Sequence, residues 1–165
     1  MSLTNTPTLT QDTVSFSASF VPLWERAKNY TIDMAEAMPE EHYSYAPVNE
    51  IRTFAQQMVH LAQATNMLCA GFLTGEPCPL EDGKGIQTKA EIIDFLSRSF
   101  DYMGTAVDSL AEEELNQKVM IDFLGIELTK KEIVYFIRDH STHHRSQALI
   151  YLRAKGIKPP QYRGW

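Results

Sequence analysis

The sequence predicts an all-α protein, a four-helix bundle with a short extended or hairpin segment before the last helix. Apolar residues recur at three- and four-residue spacing over four long stretches, which is typical of amphipathic helices. Segments that contain Gly and Pro separate those stretches. The 165 residues are enough for one hydrophobic core and contain no internal repeat or linker. We therefore expect a single bundle domain over residues 14–165, preceded by a flexible N-terminal segment at residues 1–13.

The first two helices are predicted from their apolar spacing. The first runs from about Ser15 to Ala37, where a Met-Pro pair closes it. A polar connector with several aromatic residues follows. The second helix is expected to begin near Val48 or Asn49 and to continue to about Leu73, where a loop rich in Gly and Pro begins.

Capping boxes mark the starts of the third and fourth helices. In a capping box, a threonine side chain bonds the backbone three residues later, and a Glu side chain there bonds back. Thr88 opens the third helix, whose apolar spacing extends to Leu110, and Thr129 opens the fourth, which extends to about Lys155. Between these helices, residues 118–128 have a more extended pattern, which indicates a short hairpin or an irregular crossing.

Composition and charge argue against several classes of function. The formal charge of −6, with no run rich in Lys or Arg, opposes binding to nucleic-acid phosphates. No apolar run approaches the roughly 18 residues needed to span a bilayer, so we expect no membrane partner. The N-terminus lacks the basic and apolar regions of a signal peptide, and we expect a cytoplasmic protein. Cys69 and Cys78 fit no disulfide pattern and are expected to be a core thiol and a reduced loop thiol.

Histidines are concentrated in the fourth helix, where three of the five lie between His140 and His144. At about 100° per residue, His140 and His144 leave the helix roughly 40° and one turn apart, which suits two ligands of one metal ion. His60 lies in the second helix, which can be the neighbour of the fourth in a bundle. Three neutral imidazoles that meet there would form an open metal site. The alternative is a set of core histidines that bond to water, a carbonyl or a carboxylate.

Residues beside this face of the fourth helix are candidates for supporting roles. His143 and Gln147 lie within about 60° of the ligand face, so they are candidate catalytic residues that could orient a substrate or transfer a proton. Asp139 and Arg145 lie about 100° to either side, and we expect them to form an outer-face or inter-helix charge pair. Tyr151 is expected in the core.

Nearly the whole chain, from the first helix to the Pro-Pro pair after the fourth, resembles the DinB/YfiT-like superfamily. The resemblance rests on His60, then on His140-x-x-His143-His144-Arg145-Ser146-Gln147 and Tyr151-Leu152-Arg153-x-x-Gly156-x-x-Pro159-Pro160. It implies a four-helix bundle, frequently a homodimer, in which His60, His140 and His144 hold one divalent metal ion per chain. Imidazole ligands suit Zn, Ni or Fe. Ser146 departs from the family's usual glycine, which marks a divergent subgroup.

The resemblance also implies a class of function. Members of the superfamily include bacillithiol and mycothiol transferase relatives and isomerases that use low-molecular-weight thiols. We therefore expect a metal-binding protein that acts as an enzyme on a small-molecule substrate, of thiol S-transferase or hydrolase type, in detoxification or stress response. A low-molecular-weight thiol would then be a second cofactor. The alternative is a non-catalytic metal-binding dimeric bundle that serves as a stress or interaction module.

Overall fold

The computed structural model describes residues 14–163, which contain four α-helices and so confirm the predicted fold class. These helices are α1 Phe16–Ala37, α2 Phe54–Leu68, α3 Lys89–Asp108 and α4 Lys130–Ala154. Helices α1 and α2 each pack against both α3 and α4, so that the four surround one core. The N-terminal segment predicted to be flexible, residues 1–13, lies outside the described residues.

Both predicted capping boxes are present and fix the starts of α3 and α4. The Thr88 hydroxyl accepts a hydrogen bond from the Glu91 backbone N–H, and the Glu91 carboxylate accepts one from the Thr88 N–H. Thr129 and Glu132 repeat the same two bonds. Each box satisfies backbone donors that the first turn of a helix leaves without partners.

The predicted start of the second helix, near Val48 or Asn49, is wrong. Helix α2 begins at Phe54, because a third capping box precedes it: the Thr53 N–H donates to the Gln56 side chain at 2.9 Å, and the Gln56 N–H donates to the Thr53 hydroxyl at 3.2 Å. At its other end, the helix continues as a wider π-helical turn, Cys69–Thr74, which confirms the predicted end near residue 73.

The core is a single cluster of side chains from all four helices. Its largest fully buried members are Phe20, Met34, Met38, Phe54, Met58, Leu61, Leu73, Ile92, Phe95, Leu96, Phe100 and Met103. Trp24 is buried among them and donates from its indole N–H to the Phe100 carbonyl at 2.8 Å, which joins α1 to α3. Cys69 lies in this core and Cys78 is partly exposed, and both are free thiols, as predicted.

The predicted extended segment before the last helix is a β-hairpin. Strands β1 Lys118–Ile121 and β2 Ile126–Thr129 pair antiparallel, with Ile121 opposite Ile126. Gly125 has a φ of +66° in the connecting turn, a backbone conformation that glycine adopts without strain. The Lys130 N–H donates to the Gln117 carbonyl at 2.9 Å, so the hairpin fixes the first turn of α4. None of the described helices is long and apolar enough to cross a membrane.

Candidate metal centre

The structure brings His60, His140 and His144 together between α2 and α4. One ring nitrogen from each lies within 4.8 Å of the other two. The ring centroid of His144 is 4.5 Å from that of His60 and 4.4 Å from that of His140. His144 is buried, and the other two are half-buried. The i, i+4 spacing on α4 and the packing of α2 against α4 place these side chains on facing surfaces.

The two histidines of α4 already have the spacing of ligands. Their Nε2 atoms are 3.1 Å apart. Two nitrogens bound to one ion at about 2.0–2.1 Å would be roughly 2.9 Å apart in octahedral geometry and roughly 3.3 Å apart in tetrahedral geometry. The observed separation lies between these values. The three imidazole nitrogens therefore fit a divalent ion if the His60 ring moves closer to the other two.

The hydrogen-bond partners of His144 bear on the alternative explanation, a hydrogen-bonded core histidine. Buried polar atoms nearly always have a partner. The Nδ1 atom of His144 is buried and has none among the described residues, while its Nε2 faces only another imidazole, that of His140. No carbonyl or carboxylate within residues 14–163 bonds to this ring. A carbonyl or carboxylate partner among the described residues therefore does not account for His144, and its Nε2, opposite that of His140, is positioned to be a ligand.

The environment keeps all three imidazoles neutral at physiological pH. Burial, the charge of Arg52 and the nearby His140 lower the pKa of His60 from 6.5 to about 4. Burial and the neighbouring histidines lower the pKa of His144 to about 3, and burial also lowers the pKa of His140. A neutral imidazole has a free lone pair, so the three rings are in the protonation state that metal coordination requires.

The two candidate catalytic residues lie beside the triad but do not belong to the ligand cluster. The buried Gln57 amide donates to the Gln147 carbonyl, and the Gln147 amide donates to Nε2 of His143 at 2.7 Å. The ring of His143 is 5.0 Å from that of His144, at right angles to it. The result is a chain of hydrogen bonds from the core of α2 to the exposed His143, along the edge of the triad.

A model of the DinB family matches residues 5–164, nearly the whole chain. The chain belongs to the DinB family. Among curated proteins it is similar to the uncharacterized protein YjoA of Bacillus subtilis (strain 168). The two are 21% identical over 131 residues, which are 78% of this chain and 84% of YjoA.

Solved DinB-like structures share the fold. The crystal structure of YjoA from Bacillus subtilis aligns with a TM-score of 0.72 at 19% identity and covers 88% of this chain and 96% of its own. A DinB-like protein from Bacillus cereus ATCC 10987 aligns with a TM-score of 0.75 at 19% identity, over 87% and 95%. A conserved protein from Enterococcus faecalis gives 0.68 at 16%, over 86% and 97%. Identities this low establish the fold alone.

One charged residue of this DinB-family site is not singled out by the sequence prediction. Arg52 lowers the pKa of all three histidines of the triad through its charge. It also lines a cavity of about 460 Å³ together with His60. The Tyr151 hydroxyl donates to the Arg52 carbonyl at 2.8 Å, which fixes the backbone just before α2. The sequence prediction misses Arg52 because it starts α2 too early and therefore places this residue inside the helix.

A second cavity, of about 500 Å³, also borders His60 and extends to the loop before α3. Its wall includes Asn66 of α2 and Cys78 of the loop. Asn66 is only 5% exposed, and neither atom of its amide group has a hydrogen-bond partner among the described residues. His60 therefore borders two cavities, and one of them presents an unsatisfied buried amide.

The remaining two predictions for α4 have different outcomes. Tyr151 is buried in the core, as expected. Asp139 and Arg145 do not form the predicted charge pair: Asp139 pairs with its neighbour Arg138 at 3.1 Å. Arg145 instead lies over the ring of Tyr30 from α1, with 5.7 Å between the guanidinium carbon and the ring centroid. The helical angles correctly place Asp139 and Arg145 on opposite flanks of the ligand face. Because side chains on opposite flanks contact different neighbours, the two residues do not pair with each other.

Proposed function

We propose that this protein is a metal-dependent enzyme that acts on a small molecule, by thiol S-transfer or hydrolysis, in detoxification or a stress response. One divalent ion per chain, Zn²⁺, Ni²⁺ or Fe²⁺, would be held by His60, His140 and His144. The observation that carries the proposal is the cluster of three neutral imidazoles beside two cavities. Three protein ligands leave a coordination position for water or substrate, as catalytic sites require.

The composition of the cluster supports an open site over a closed one. Structural zinc sites are closed by four protein ligands. Within the described residues, no carboxylate or thiol joins the three imidazoles. A non-catalytic metal-binding module would be favoured by a fourth protein ligand, and the cluster of three gives that alternative no support.

The cavity between His60 and the loop before α3 has the dimensions of a small-molecule site. Its volume of about 500 Å³ lies within the range of about 300–1,000 Å³ that such sites occupy. Ala64, Met67 and Leu80 form an apolar wall, and Asn66 offers one amide donor and one acceptor. A substrate with an apolar body and one polar group, such as an amide or a carbonyl, would match this lining.

Residues around the triad would assist the proposed reaction beside the metal ion. A bound divalent ion lowers the pKa of a coordinated water or thiol, which is the chemistry that either reaction needs. The positive charge of Arg52 favours an anionic group, such as a thiolate, next to His60. In the tautomer whose Nε2 accepts from the Gln147 amide, the ring proton of His143 is on Nδ1, from which it would be donated to a substrate.

The proposal extends to partners. Thiol S-transfer would use a low-molecular-weight thiol as a second cofactor, whereas hydrolysis would not. The protein would work as a cytoplasmic homodimer with a small-molecule substrate and without a nucleic-acid or membrane partner. The net charge of −6 supports the exclusion of nucleic acid.

Elemental analysis of untagged protein tests the metal site first. We expect about one divalent ion per chain in the wild type and none in a His60→Ala/His140→Ala/His144→Ala variant. The variant His42→Ala, which removes a histidine outside the triad, is the matched control and should keep the ion. If the wild type binds no ion after incubation with Zn²⁺, Ni²⁺ or Fe²⁺, the proposed function is wrong.

Activity is tested with the loaded protein. It is assayed for transfer of small thiols to electrophiles and for ester and amide hydrolysis, beside the metal-free protein and Arg52→Gln. Turnover that requires the metal and weakens in Arg52→Gln would support the proposal. A loaded protein that is inactive in both screens would favour the non-catalytic module.

A further inference from the structure

A cavity rich in arginine lies between α1, α4 and the segment that follows α4. Its volume is about 210 Å³, and it shares no residue with the two cavities that border His60. Four of its lining residues are arginines, Arg26, Arg138, Arg145 and Arg163, and no Asp or Glu from the described residues lines it. Such a concentration of positive charge is unexpected in a chain whose net charge is −6.

Arg145 has a buried donor that nothing described satisfies. Its Nη1 atom is buried and has no hydrogen-bond partner within residues 14–163. Its Nη2 atom donates to the Thr142 hydroxyl at 3.1 Å, and the guanidinium lies over the Tyr30 ring. These contacts fix the plane of the group without neutralising its charge. Arg145 is half-buried as a residue, but its buried Nη1 donor is costly to leave unpaired, and an anion would satisfy both that donor and the charge.

The other arginines differ in how far they are neutralised. Arg138 pairs with Asp139, and Arg163 pairs with Asp33 at 2.6 Å. Arg26 is half-buried, and no ion pair joins it to a carboxylate of the described residues. The cavity therefore contains two guanidinium groups without a counter-charge, one from α1 and one from α4.

We propose that this cavity binds an oxyanion, the phosphate or carboxylate group of a small molecule, between Arg26 and Arg145. Guanidinium groups are planar forks that match the oxygens of both anions in pairs. The cavity is smaller than the roughly 300 Å³ at which drug-sized sites begin, so it accommodates a small anion or the anionic end of a larger molecule. The site is separate from the metal centre and does not depend on the proposed function.

Anion-dependent thermal stability tests this site. The melting temperature is measured while inorganic phosphate, or in a second series acetate, replaces chloride at constant ionic strength and pH. The proteins are the wild type, Arg26→Gln, Arg145→Gln and the control Arg153→Gln, which removes an exposed arginine of α4 outside the cavity. A ligand that binds only the folded state raises the melting temperature along a saturable curve.

We expect a saturable rise in the wild type and in Arg153→Gln, and at least a tenfold weaker apparent affinity in Arg26→Gln and Arg145→Gln. A response to phosphate assigns a phosphate group, and a response to acetate alone assigns a carboxylate. If Arg145→Gln does not fold, the comparison of the wild type with Arg26→Gln, which changes a half-buried residue, tests the proposal by itself. A response that is absent, that rises without saturation, or that is equal in the wild type and Arg26→Gln would overturn the proposal.

Discussion

The Nε2 atoms of His140 and His144 lie 3.1 Å apart, one turn from each other on α4, with the ring of His60 on α2 facing both. Two imidazole nitrogens at this distance either share one hydrogen bond or flank one ion. The third ring, which brings a nitrogen of His60 within 4.8 Å of both, favours the ion. The spacing on one helix therefore provides a pair, and the packing of two helices makes it a triad.

Removal of metal is expected to lower thermal stability. An ion that binds only the folded state at about a hundred times its Kd adds ~2.7 kcal/mol, which corresponds to about 5–10 °C in melting temperature for a chain of this length. Chelation should therefore lower the melting temperature of the wild type and leave that of His140→Ala unchanged. The measurement is differential scanning calorimetry of loaded and stripped protein, with His42→Ala as the control that should behave as wild type. Identical melting of loaded and stripped wild type would contradict the prediction.

Acid should destabilise the metal-free protein. The pKa of His60 is about 4 and that of His144 about 3 in the folded state, against an ordinary value of 6.5. Below pH 6.5 the unfolded chain therefore binds more protons than the folded one, and stability falls as the pH falls. The contribution of these histidines is fully present above pH 6.5 and is lost as the pH drops through about 4 and then 3.

Urea unfolding of chelated protein between pH 7.5 and 4.5 measures this effect. The urea midpoint should decline with pH in the wild type and decline less steeply in His144→Asn, which cannot take up a proton at that position. Equal slopes for the two proteins would show that the proton uptake occurs elsewhere.

The capping box of α2 gives a prediction about stability. Thr53→Ala removes the side-chain acceptor of the Gln56 N–H and should cost about 1 kcal/mol. Thr105→Ala replaces an exposed threonine inside α3 and should change stability by less than about 0.5 kcal/mol. Chemical denaturation of the two variants and the wild type provides the comparison. A Thr53→Ala cost no larger than that of Thr105→Ala would show that the box does not fix the start of α2.

The capping boxes and the residues around the triad show which features of this fold and site the sequence patterns can predict. Helical periodicity and two Thr-x-x-Glu boxes predict the bundle and place His140 and His144 on one face, because both depend on local geometry. The Thr53-x-x-Gln56 box is equally local and could have corrected the start of α2. The neighbours of Arg52 and Arg145 could not be predicted in this way. They depend on which helices pack together and on how far those helices are shifted along their axes relative to one another.

The loop that walls the cavity beside His60 depends on one glycine. Gly83 is buried with a φ of +75°, and a Cβ atom there would lie 2.8 Å from Cε1 of the fully buried Phe95. Gly85 has a similar φ of +84° but open space around it. Alanine at either position incurs the left-handed backbone cost of about 1–2 kcal/mol. Only Gly83→Ala also overpacks the core, which adds about 1–3 kcal/mol.

Gly83→Ala should therefore be less stable than Gly85→Ala by about 1–3 kcal/mol, as measured by chemical denaturation. The strain should also displace this loop, because the Gln63 amide holds it through a 2.7 Å hydrogen bond to the Asp82 carbonyl and would itself lie 3.1 Å from the new Cβ. If the cavity is the substrate site, Gly83→Ala should weaken substrate binding while metal content stays at the wild-type level. Equal stability of the two variants would show that Phe95 moves aside at little cost in free energy. The loop would then be flexible at this position rather than fixed.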